Sequence, residues 1–321
     1  MRVLVTPTSF TAEKKSRATD LLRSFCRDIV YNPFGRPLYP HEIIPLLEGV
    51  DGYIAGLDYI NEEVIQMAPS SLKVISRYGA GYDRIDVAAA DKKGIIVTNT
   101  PGVNSESVAD LTFGLILSVA RKISLLDKRI KAGEWPRTIG IEIYGKTMGI
   151  LGLGAIGKGV ARRARGFSMN VLAYDPFLDH EFASQNGIKS CTMDEVLENA
   201  DILSLHLPLT ENTYNIINSQ SIKRMKQGAI IVNTARGGLI DEAAAYEALK
   251  NGWLGGLGVD VFEKEPPGES PLFELDNVVA TPHAGAHTAE AVEKMAMLAV
   301  QNLIDVLSGR ECKYIIKQTQ L

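Results

Sequence analysis

Cysteine is scarce in this sequence of 321 residues, and so are histidine and tryptophan. The chain has 3 cysteines, 5 histidines and 2 tryptophans. Cys26, Cys191 and Cys312 lie far apart, are odd in number and form no CxxC pair. This pattern predicts no disulfide framework, and it indicates a reducing compartment. We expect a cytoplasmic protein that holds no metal.

The sequence also lacks an excess of charge of one sign and a long hydrophobic run. It has 34 basic and 38 acidic residues, with a net charge of −4. This balance favours neither nucleic acid nor an anionic membrane as a partner. The most apolar stretch, 111–120, is interrupted by polar residues, whereas a bilayer span needs about 20 apolar residues. The opening MRVLVTP indicates a strand and is too short for a secretory signal.

The rest of the composition is that of a folded protein. Hydrophobic residues make up 45% of the chain and charged residues 22%, which excludes bulk disorder. The length is near that of two domains of about 150 residues each.

Short apolar runs alternate with helical patterns along the whole chain. Most of the runs are apolar throughout, which is typical of parallel strands covered on both faces. The alternation predicts an α/β protein with doubly wound parallel sheets. The candidate strands are Val3–Thr6, Gly52–Gly56, Lys73–Ser76, Ile95–Thr98, Met148–Leu153, Val171–Tyr174, Ile202–Leu205, Ala229–Asn233, Gly256–Val261 and Val278–Thr281.

Several helices and a domain boundary can be predicted. Thr192 followed by Glu195 is a capping box, and Asp241 can cap the helix that follows it. Longer helices are predicted over Ser105–Lys131 and Glu290–Ser308. We place a discontinuous domain at residues 1–100 and 288–321, because the last helix and the ECKYIIK strand can pack back on it. A second domain takes residues 101–287.

A dinucleotide site is indicated after the strand that contains Gly149. Gly152, Gly154 and Gly157 form GxGxxG between that strand and a helix, where glycines permit a tight turn and close approach of a pyrophosphate. Asp175 ends the next strand, near the offset expected of the acid that binds the adenosine ribose. Its carboxylate would repel a 2′-phosphate, which favours NAD over NADP.

Three charged residues follow later strands, at the end where open α/β sheets bind ligands. Taken singly, Arg236 could form a surface ion pair, Glu265 could be solvated and His283 could be a loop histidine. Together they suit hydride reduction of a 2-oxo acid. Arginine is a fork for the carboxylate, histidine carries the proton, and a carboxylate beside histidine orients the ring and favours imidazolium.

The runs GILGLGAIG, NTARGGLIDE, DVFEKEPP and TPHAGAHT resemble the D-isomer-specific 2-hydroxyacid dehydrogenases, most closely the phosphoglycerate dehydrogenase branch. The resemblance implies a Rossmann-type NAD domain inserted in a flavodoxin-like substrate domain, and a homodimer. It implies Arg236, Glu265 and His283 as catalytic residues and Asp260 as a ligand of the nicotinamide carboxamide. Further cofactor contacts are expected at Ala155, Ile156, His206, Leu207, Pro208, Thr213, Thr234, Ala235 and Gly285, and substrate contacts at Gly56, Arg77, Gly79, Ala80 and Gly81.

Two departures from that branch bear on the substrate. Gly56 stands where phosphoglycerate dehydrogenases often place a phosphate-binding arginine, and Arg77 and Arg137 remain as possible anion partners. The chain stops soon after the last helix, so we expect the serine-sensing domain of some relatives to be missing. We therefore expect phosphohydroxypyruvate to be only slightly preferred over hydroxypyruvate and glyoxylate.

Three other interpretations stay open. Glyoxylate or hydroxypyruvate reductases, and other D-2-hydroxyacid dehydrogenases, share the whole pattern. Formate dehydrogenases share the frame but pair the histidine with glutamine, and Glu265 argues against them. From another class, an NAD-sensing co-repressor would retain the site as a binding protein.

Overall fold

The computed structural model describes residues 1–317, which form two compact units. Unit 1 comprises Met1–Asn104 together with the segment from His287 onward, and unit 2 comprises Ser105–Ala286. The predicted boundaries, after residues 100 and 287, stand near these breaks. The chain therefore leaves unit 1 once and returns to it once.

The described strands all pair in parallel, in two sheets. They are β1 (Arg2–Val5), β2 (Asp28–Tyr31), β3 (Gly52–Ala55), β4 (Val74–Arg77), β5 (Ile96–Thr98), β6 (Thr147–Leu151), β7 (Asn170–Tyr174), β8 (Lys189–Ser190), β9 (Ile202–Leu205), β10 (Ala229–Asn233), β11 (Leu254–Val259) and β12 (Val278–Ala280).

The α-helices in the described chain follow most of these strands. They are α1 (Arg17–Phe25), α2 (Pro40–Leu46), α3 (Glu62–Met67), α4 (Val87–Lys92), α5 (Ser105–Arg121), α6 (Ile123–Lys131), α7 (Ala155–Gly166), α8 (His180–Gln185), α9 (Met193–Asn199), α10 (Ser219–Arg224), α11 (Glu242–Lys250) and α12 (Ala289–Leu307). The predicted capping box closes at the start of α9, where the Glu195 N–H donates to Thr192 Oγ1 at 3.2 Å.

Unit 1 has the strand order β2-β1-β3-β4-β5, which is the flavodoxin-like order expected from the sequence. The last helix, α12, belongs to this unit. The Ser76 hydroxyl of β4 donates to the Ala299 carbonyl of α12 at 2.8 Å, and the Asn302 amide donates to the Asn99 carbonyl at 2.9 Å. The predicted ECKYIIK strand is only an isolated bridge between Ile315 and Thr98.

Unit 2 has the strand order β12-β11-β10-β9-β6-β7-β8. This is the Rossmann order with one more strand at the far edge, and its order reverses between β6 and β9. Buried apolar side chains cover both faces of the sheet, as the continuous apolar runs predict.

The predicted helix Ser105–Lys131 is wrong as a single element. Lys122 adopts a left-handed conformation, with φ of 56°, and this divides the segment into α5 and α6. The apolar face of α5 is buried against β10, β11 and β12 of its own unit, whereas α6 buries none of its residues. The sequence pattern does not reveal β2 and β8, because both strands are short and neither contains a run of buried residues.

Over residues 1–317, every helix is either too short or too polar to cross a membrane.

Candidate active site

In unit 2 the predicted site residues lie at one edge of the sheet. Because the strands are parallel, the residues that follow β6, β7, β9, β10, β11 and β12 all emerge at that edge. The glycines after β6 and His206 after β9 flank the point where the strand order reverses. Open α/β sheets bind ligands in the crevice at such a point.

The GxGxxG segment forms a turn that requires glycine at two positions for different reasons. Gly152 has a φ of 94°, and a Cβ there would lie 2.5 Å from the His206 carbonyl oxygen. A Cβ on Gly157 would lie 2.1 Å from the Gly152 carbonyl oxygen. Both glycines therefore serve the packing of the turn itself.

Gly154 differs from the other two glycines, because a Cβ added there would meet no described atom within 4 Å. The residue is exposed and forms the N-cap of α7, a helix of 12 residues. The backbone at Gly154 therefore faces open space at the positive end of α7, and a helix N-terminus of this kind can take a dinucleotide pyrophosphate. Exposed Ala155 and half-buried Ile156 begin that helix.

Asp175 is brought directly to this turn. Its Oδ2 accepts from the Leu153 N–H at 2.7 Å, and its Oδ1 accepts from the Phe177 N–H at 2.8 Å. The carboxylate is half-buried, and its oxygens keep further lone pairs for ligand hydroxyls. The structure therefore brings these two separated motifs of the sequence into direct contact.

Other predicted cofactor residues lie in the segments that follow β9 and β10. The Thr213 hydroxyl donates to the Pro208 carbonyl at 2.6 Å and fixes the loop that begins at buried Leu207. Thr234 and Thr112 share a hydrogen bond of 3.0 Å between their hydroxyls, which ties the turn after β10 to α5.

His206 is an uncharged group in this site. Its Nε2 lies 2.8 Å from the Ser204 hydroxyl, and its Nδ1 is buried and accepts no hydrogen bond from the described residues. Burial lowers the pKa of His206 to about 3, so the ring is neutral at physiological pH. A neutral imidazole at this position cannot serve as the acid of the reaction.

His283 and Glu265 form the pair that the sequence predicts. The His283 Nδ1 lies 3.0 Å from Glu265 Oε1 and 2.9 Å from Oε2. An ionised Glu265 accepts from Nδ1–H, which leaves Nε2 as the atom that exchanges a proton. The Phe262 N–H also donates to Glu265, at 3.2 Å, and so orients the carboxylate. The side chain of His283 is 28% exposed, enough to meet a ligand.

The backbone of His283 is held by Asp260. His283 has a φ of 52°, in the left-handed region, and its N–H donates to the Asp260 carbonyl at 2.8 Å. The Asp260 carboxylate, 1% exposed, accepts from Thr281 Oγ1 at 2.6 Å, from the Ala284 N–H at 2.7 Å and from the Gly285 N–H at 2.8 Å. Asp260 thus fixes the loop that carries the histidine.

The turn that carries Arg236 is built on Asn233, a residue that no sequence motif indicates. The Asn233 side chain accepts from the Ala235 N–H at 3.0 Å and donates to the Arg236 carbonyl at 2.7 Å. A Cβ on Gly237 would lie 1.9 Å from the Phe262 carbonyl carbon. Gly237 therefore lets the turn of Arg236 press against the segment that leads to Glu265.

In unit 1, the loop Gly79–Gly81 follows β4, and we call it the carboxylate loop. Gly79 has a φ of 140°, and its N–H donates to Thr100 Oγ1 at 2.9 Å. The Asn99 amide donates to the Ala80 carbonyl at 2.7 Å. Arg77 lies beneath the loop and is 8% exposed.

A side chain at Gly56, at the end of β3, would be crowded by the backbone of Pro7. A Cβ there would lie 3.1 Å from Pro7 Cα and 3.2 Å from Pro7 N. Buried Asp58, which no sequence motif indicates, fixes this turn, because its Oδ2 accepts from the Gly56 N–H at 2.9 Å and from the Tyr53 hydroxyl at 3.0 Å. Burial, with Asp58 close by, raises the pKa of Tyr53.

Comparison with known proteins shows which family the chain resembles. The profile described as "D-isomer specific 2-hydroxyacid dehydrogenase, NAD binding domain" matches residues 113–285. The chain is 42% identical over 284 residues to a glyoxylate reductase of Korarchaeum cryptofilum, covering 86% of this chain and 85% of the relative. It is 46% identical over 265 residues to a D-3-phosphoglycerate dehydrogenase of Methanocaldococcus jannaschii, covering 82% of this chain and 50% of the relative. This chain thus spans about half the length of that relative.

A solved structure from Thermus thermophilus superposes with a TM-score of 0.86 at 38% identity and covers 99% of this chain and 100% of that chain. The chain belongs to the D-isomer specific 2-hydroxyacid dehydrogenase family. It is an NAD-dependent oxidoreductase that interconverts a D-2-hydroxy acid and its 2-oxo acid.

Proposed function

We propose that Arg236, Glu265 and His283 carry the reaction, and that the Ala80 and Gly81 N–H groups of the carboxylate loop bind the substrate carboxylate. The contact of 2.9 Å between His283 Nδ1 and Glu265 is the observation that carries this proposal. Bound NADH supplies the hydride for reduction.

Each member of the trio has a distinct role. His283 donates the proton on Nε2 to the carbonyl oxygen of the 2-oxo acid, while Glu265 stabilises the imidazolium and holds the ring in place. Arg236 binds the substrate carboxylate and polarises the carbonyl, because its planar fork matches a carboxylate. In the direction of oxidation His283 takes the proton back.

We infer that the substrate is a small, unphosphorylated 2-oxo acid, such as hydroxypyruvate or glyoxylate. Gly56 supports this, because glycine offers no cation to a phosphate and a larger side chain there would be crowded by the backbone of Pro7. The Nε and Nη1 of Arg77 donate to backbone carbonyls. This order of substrate preference is the reverse of the one expected from the sequence, in which phosphohydroxypyruvate is slightly preferred. Phosphohydroxypyruvate is the second candidate, favoured by the 46% identity to a D-3-phosphoglycerate dehydrogenase.

A panel of 2-oxo acids with NADH tests this function. We expect kcat/KM for hydroxypyruvate or glyoxylate to exceed that for phosphohydroxypyruvate, with pyruvate and phenylpyruvate as size controls. A preference of about a thousandfold for the phosphorylated acid, equivalent to about 4 kcal/mol, would overturn the substrate proposal. No turnover with any acid would instead favour an NAD-sensing binding protein.

Cofactor choice gives a first prediction. Asp175 faces the turn that would hold the adenosine half of the cofactor, and its charge repels a 2′-phosphate. We expect kcat/KM with NADH to exceed that with NADPH clearly, and Asp175→Ala to narrow the ratio by lowering activity with NADH. Glu181→Ala, on the exposed face of α8, is the control and should leave the ratio unchanged. Equal use of both cofactors by the wild type would contradict the prediction.

We propose a homodimer formed through α6 and the segment that follows it. Large apolar side chains are exposed there, which is uncommon on a monomer surface. Trp135 is 83% exposed, Ile139 91% and Tyr144 68%. We also propose a cytoplasmic location, supported by Cys26, Cys191 and Cys312, which are all free thiols.

The mass in solution gives a second prediction. Light scattering at micromolar concentration should report twice the chain mass of 34.9 kDa. Ile139→Asp and Trp135→Asp should each shift the mass toward that of a monomer, because they place a charge in an apolar interface. Phe177→Asp is the control. Phe177 is 94% exposed as well, but it lies near the GxGxxG turn and outside the proposed interface. A monomeric wild type would refute the dimer.

A further inference from the structure

Arg77 is a buried arginine whose Nε and Nη1 donate to backbone carbonyls around it. Its Nε donates to the Gly81 carbonyl at 2.8 Å, and its Nη1 donates to the Tyr78 carbonyl and, at 3.4 Å, to the Ala55 carbonyl. One guanidinium thus joins the end of β3 to both sides of the carboxylate loop.

Gly79 packs directly on this guanidinium. A Cβ on Gly79 would lie 3.0 Å from Arg77 Nη2 and 3.1 Å from Cζ, and the φ of 140° already favours glycine. With Thr100 accepting the Gly79 N–H and Asn99 donating to Ala80, the loop is fixed from below at every residue. The three loop carbonyls accept from the Thr100 N–H at 3.0 Å, from Asn99 and from Arg77. Because the Gly79 N–H is bound to Thr100, the N–H groups of Ala80 and Gly81 are the donors that the loop can offer to a ligand.

The geometry points to Arg77 as a positioning residue, which sets the backbone of the carboxylate loop without itself binding the anion. This inference rests on the proposed function, in which that loop binds the substrate carboxylate. A planar fork is required for the role, because its donors must reach carbonyls in different directions. The single ammonium group of lysine cannot occupy those positions together.

A direct anion contact and a positioning role predict different behaviour of three variants. If Arg77 held the substrate phosphate, Arg77→Met would lower kcat/KM for phosphohydroxypyruvate and spare hydroxypyruvate, and Arg77→Lys would retain much of the activity. If Arg77 positions the loop, kcat/KM falls by the same factor for both acids, and Arg77→Lys is no more active than Arg77→Met. Thr100→Val removes the hydrogen bond from the Gly79 N–H, a different support of the same loop. It should lower kcat/KM for both acids by a smaller, equal factor.

The experiment measures KM and kcat for both acids, and the Kd of NADH by fluorescence, in the four proteins below their Tm. We expect Arg77→Met and Arg77→Lys to raise KM for both acids by about ten- to a hundredfold, from the loss of charge-assisted hydrogen bonds. The ratio of kcat/KM for the two acids and the Kd of NADH should both stay within about twofold of their wild-type values, a change of about 0.4 kcal/mol. General loss of structure would weaken NADH binding as well.

Two results would overturn the inference. One is a change of about tenfold in the ratio of kcat/KM for the two acids in Arg77→Met. Such a change means that Arg77 stabilises one substrate over the other by about 1.4 kcal/mol. The other is an unchanged KM in Arg77→Met and Thr100→Val. Should Arg77→Met not fold, Thr100→Val with the same readouts decides. A wild type that reduces neither acid would be a failure of the proposed function, and it is seen before any variant is made.

Discussion

Replacing His283 by alanine is expected to lower kcat for reduction by about 10²–10⁴-fold, the usual contribution of a positioned general acid. The other histidine of this edge cannot substitute for it, because burial keeps the pKa of His206 at about 3. The loss should appear in kcat, since the imidazole acts on the carbonyl oxygen as charge develops there.

Two measurements make this result specific. The Kd of NADH for His283→Ala should match that of the wild type, because the glycine turn and Asp175 are untouched. His180→Ala changes an exposed histidine at the start of α8 and should keep full activity. If His283→Ala kept more than about a tenth of the wild-type kcat while chemistry limits turnover, His283 would not be the acid.

Glu265→Gln should also lower kcat, by a smaller factor than the loss of the ring. Glutamine keeps the shape and can still accept from Nδ1–H, but it carries no charge to stabilise the imidazolium. An unchanged kcat in this variant would place the partner of the imidazolium elsewhere.

Much of this site could be predicted from the sequence, because the chemistry sits in residues that directly follow apolar strands. In a parallel sheet such residues emerge at one edge, so Asp175 and His283 could be placed there without coordinates. The GxGxxG segment and the acid after the next strand could be paired for the same reason. The structure joins them through the hydrogen bond from Leu153 to Asp175.

Residues that act on the backbone could not be predicted in this way. Asn233 and Asp58 look like ordinary polar residues in the sequence, and only their contacts with nearby N–H groups give them a role. The break at Lys122 was hidden as well, because a lysine in the left-handed conformation leaves no mark on the apolar pattern. Arg77 could be recognised as a cation near the substrate loop, but the direction of its donors depends on tertiary structure.

The glycine turn allows folding and cofactor binding to be separated with two matched substitutions. Gly157→Ala places a Cβ 2.1 Å from the Gly152 carbonyl oxygen. The backbone fixes the positions of both atoms, so neither can move away by a change of rotamer. We expect overpacking of about 1–3 kcal/mol, which lowers Tm by about 2–12 °C for a unit of this size. NADH binding should weaken too, because the turn itself is displaced.

Gly154→Ala should give the opposite pattern. A Cβ at Gly154 meets no described atom within 4 Å, and the residue has a φ of −70° and a ψ of −161°, a conformation that alanine adopts freely. The protein without cofactor should therefore unfold at the wild-type Tm. The new methyl group would occupy the space of the pyrophosphate, and about 1–3 kcal/mol of overpacking would weaken NADH binding by about ten- to a hundredfold. Thermal unfolding without cofactor and fluorescence titration with NADH measure the two effects separately. A Gly154→Ala protein that binds NADH as tightly as the wild type would show that the pyrophosphate does not lie against this turn.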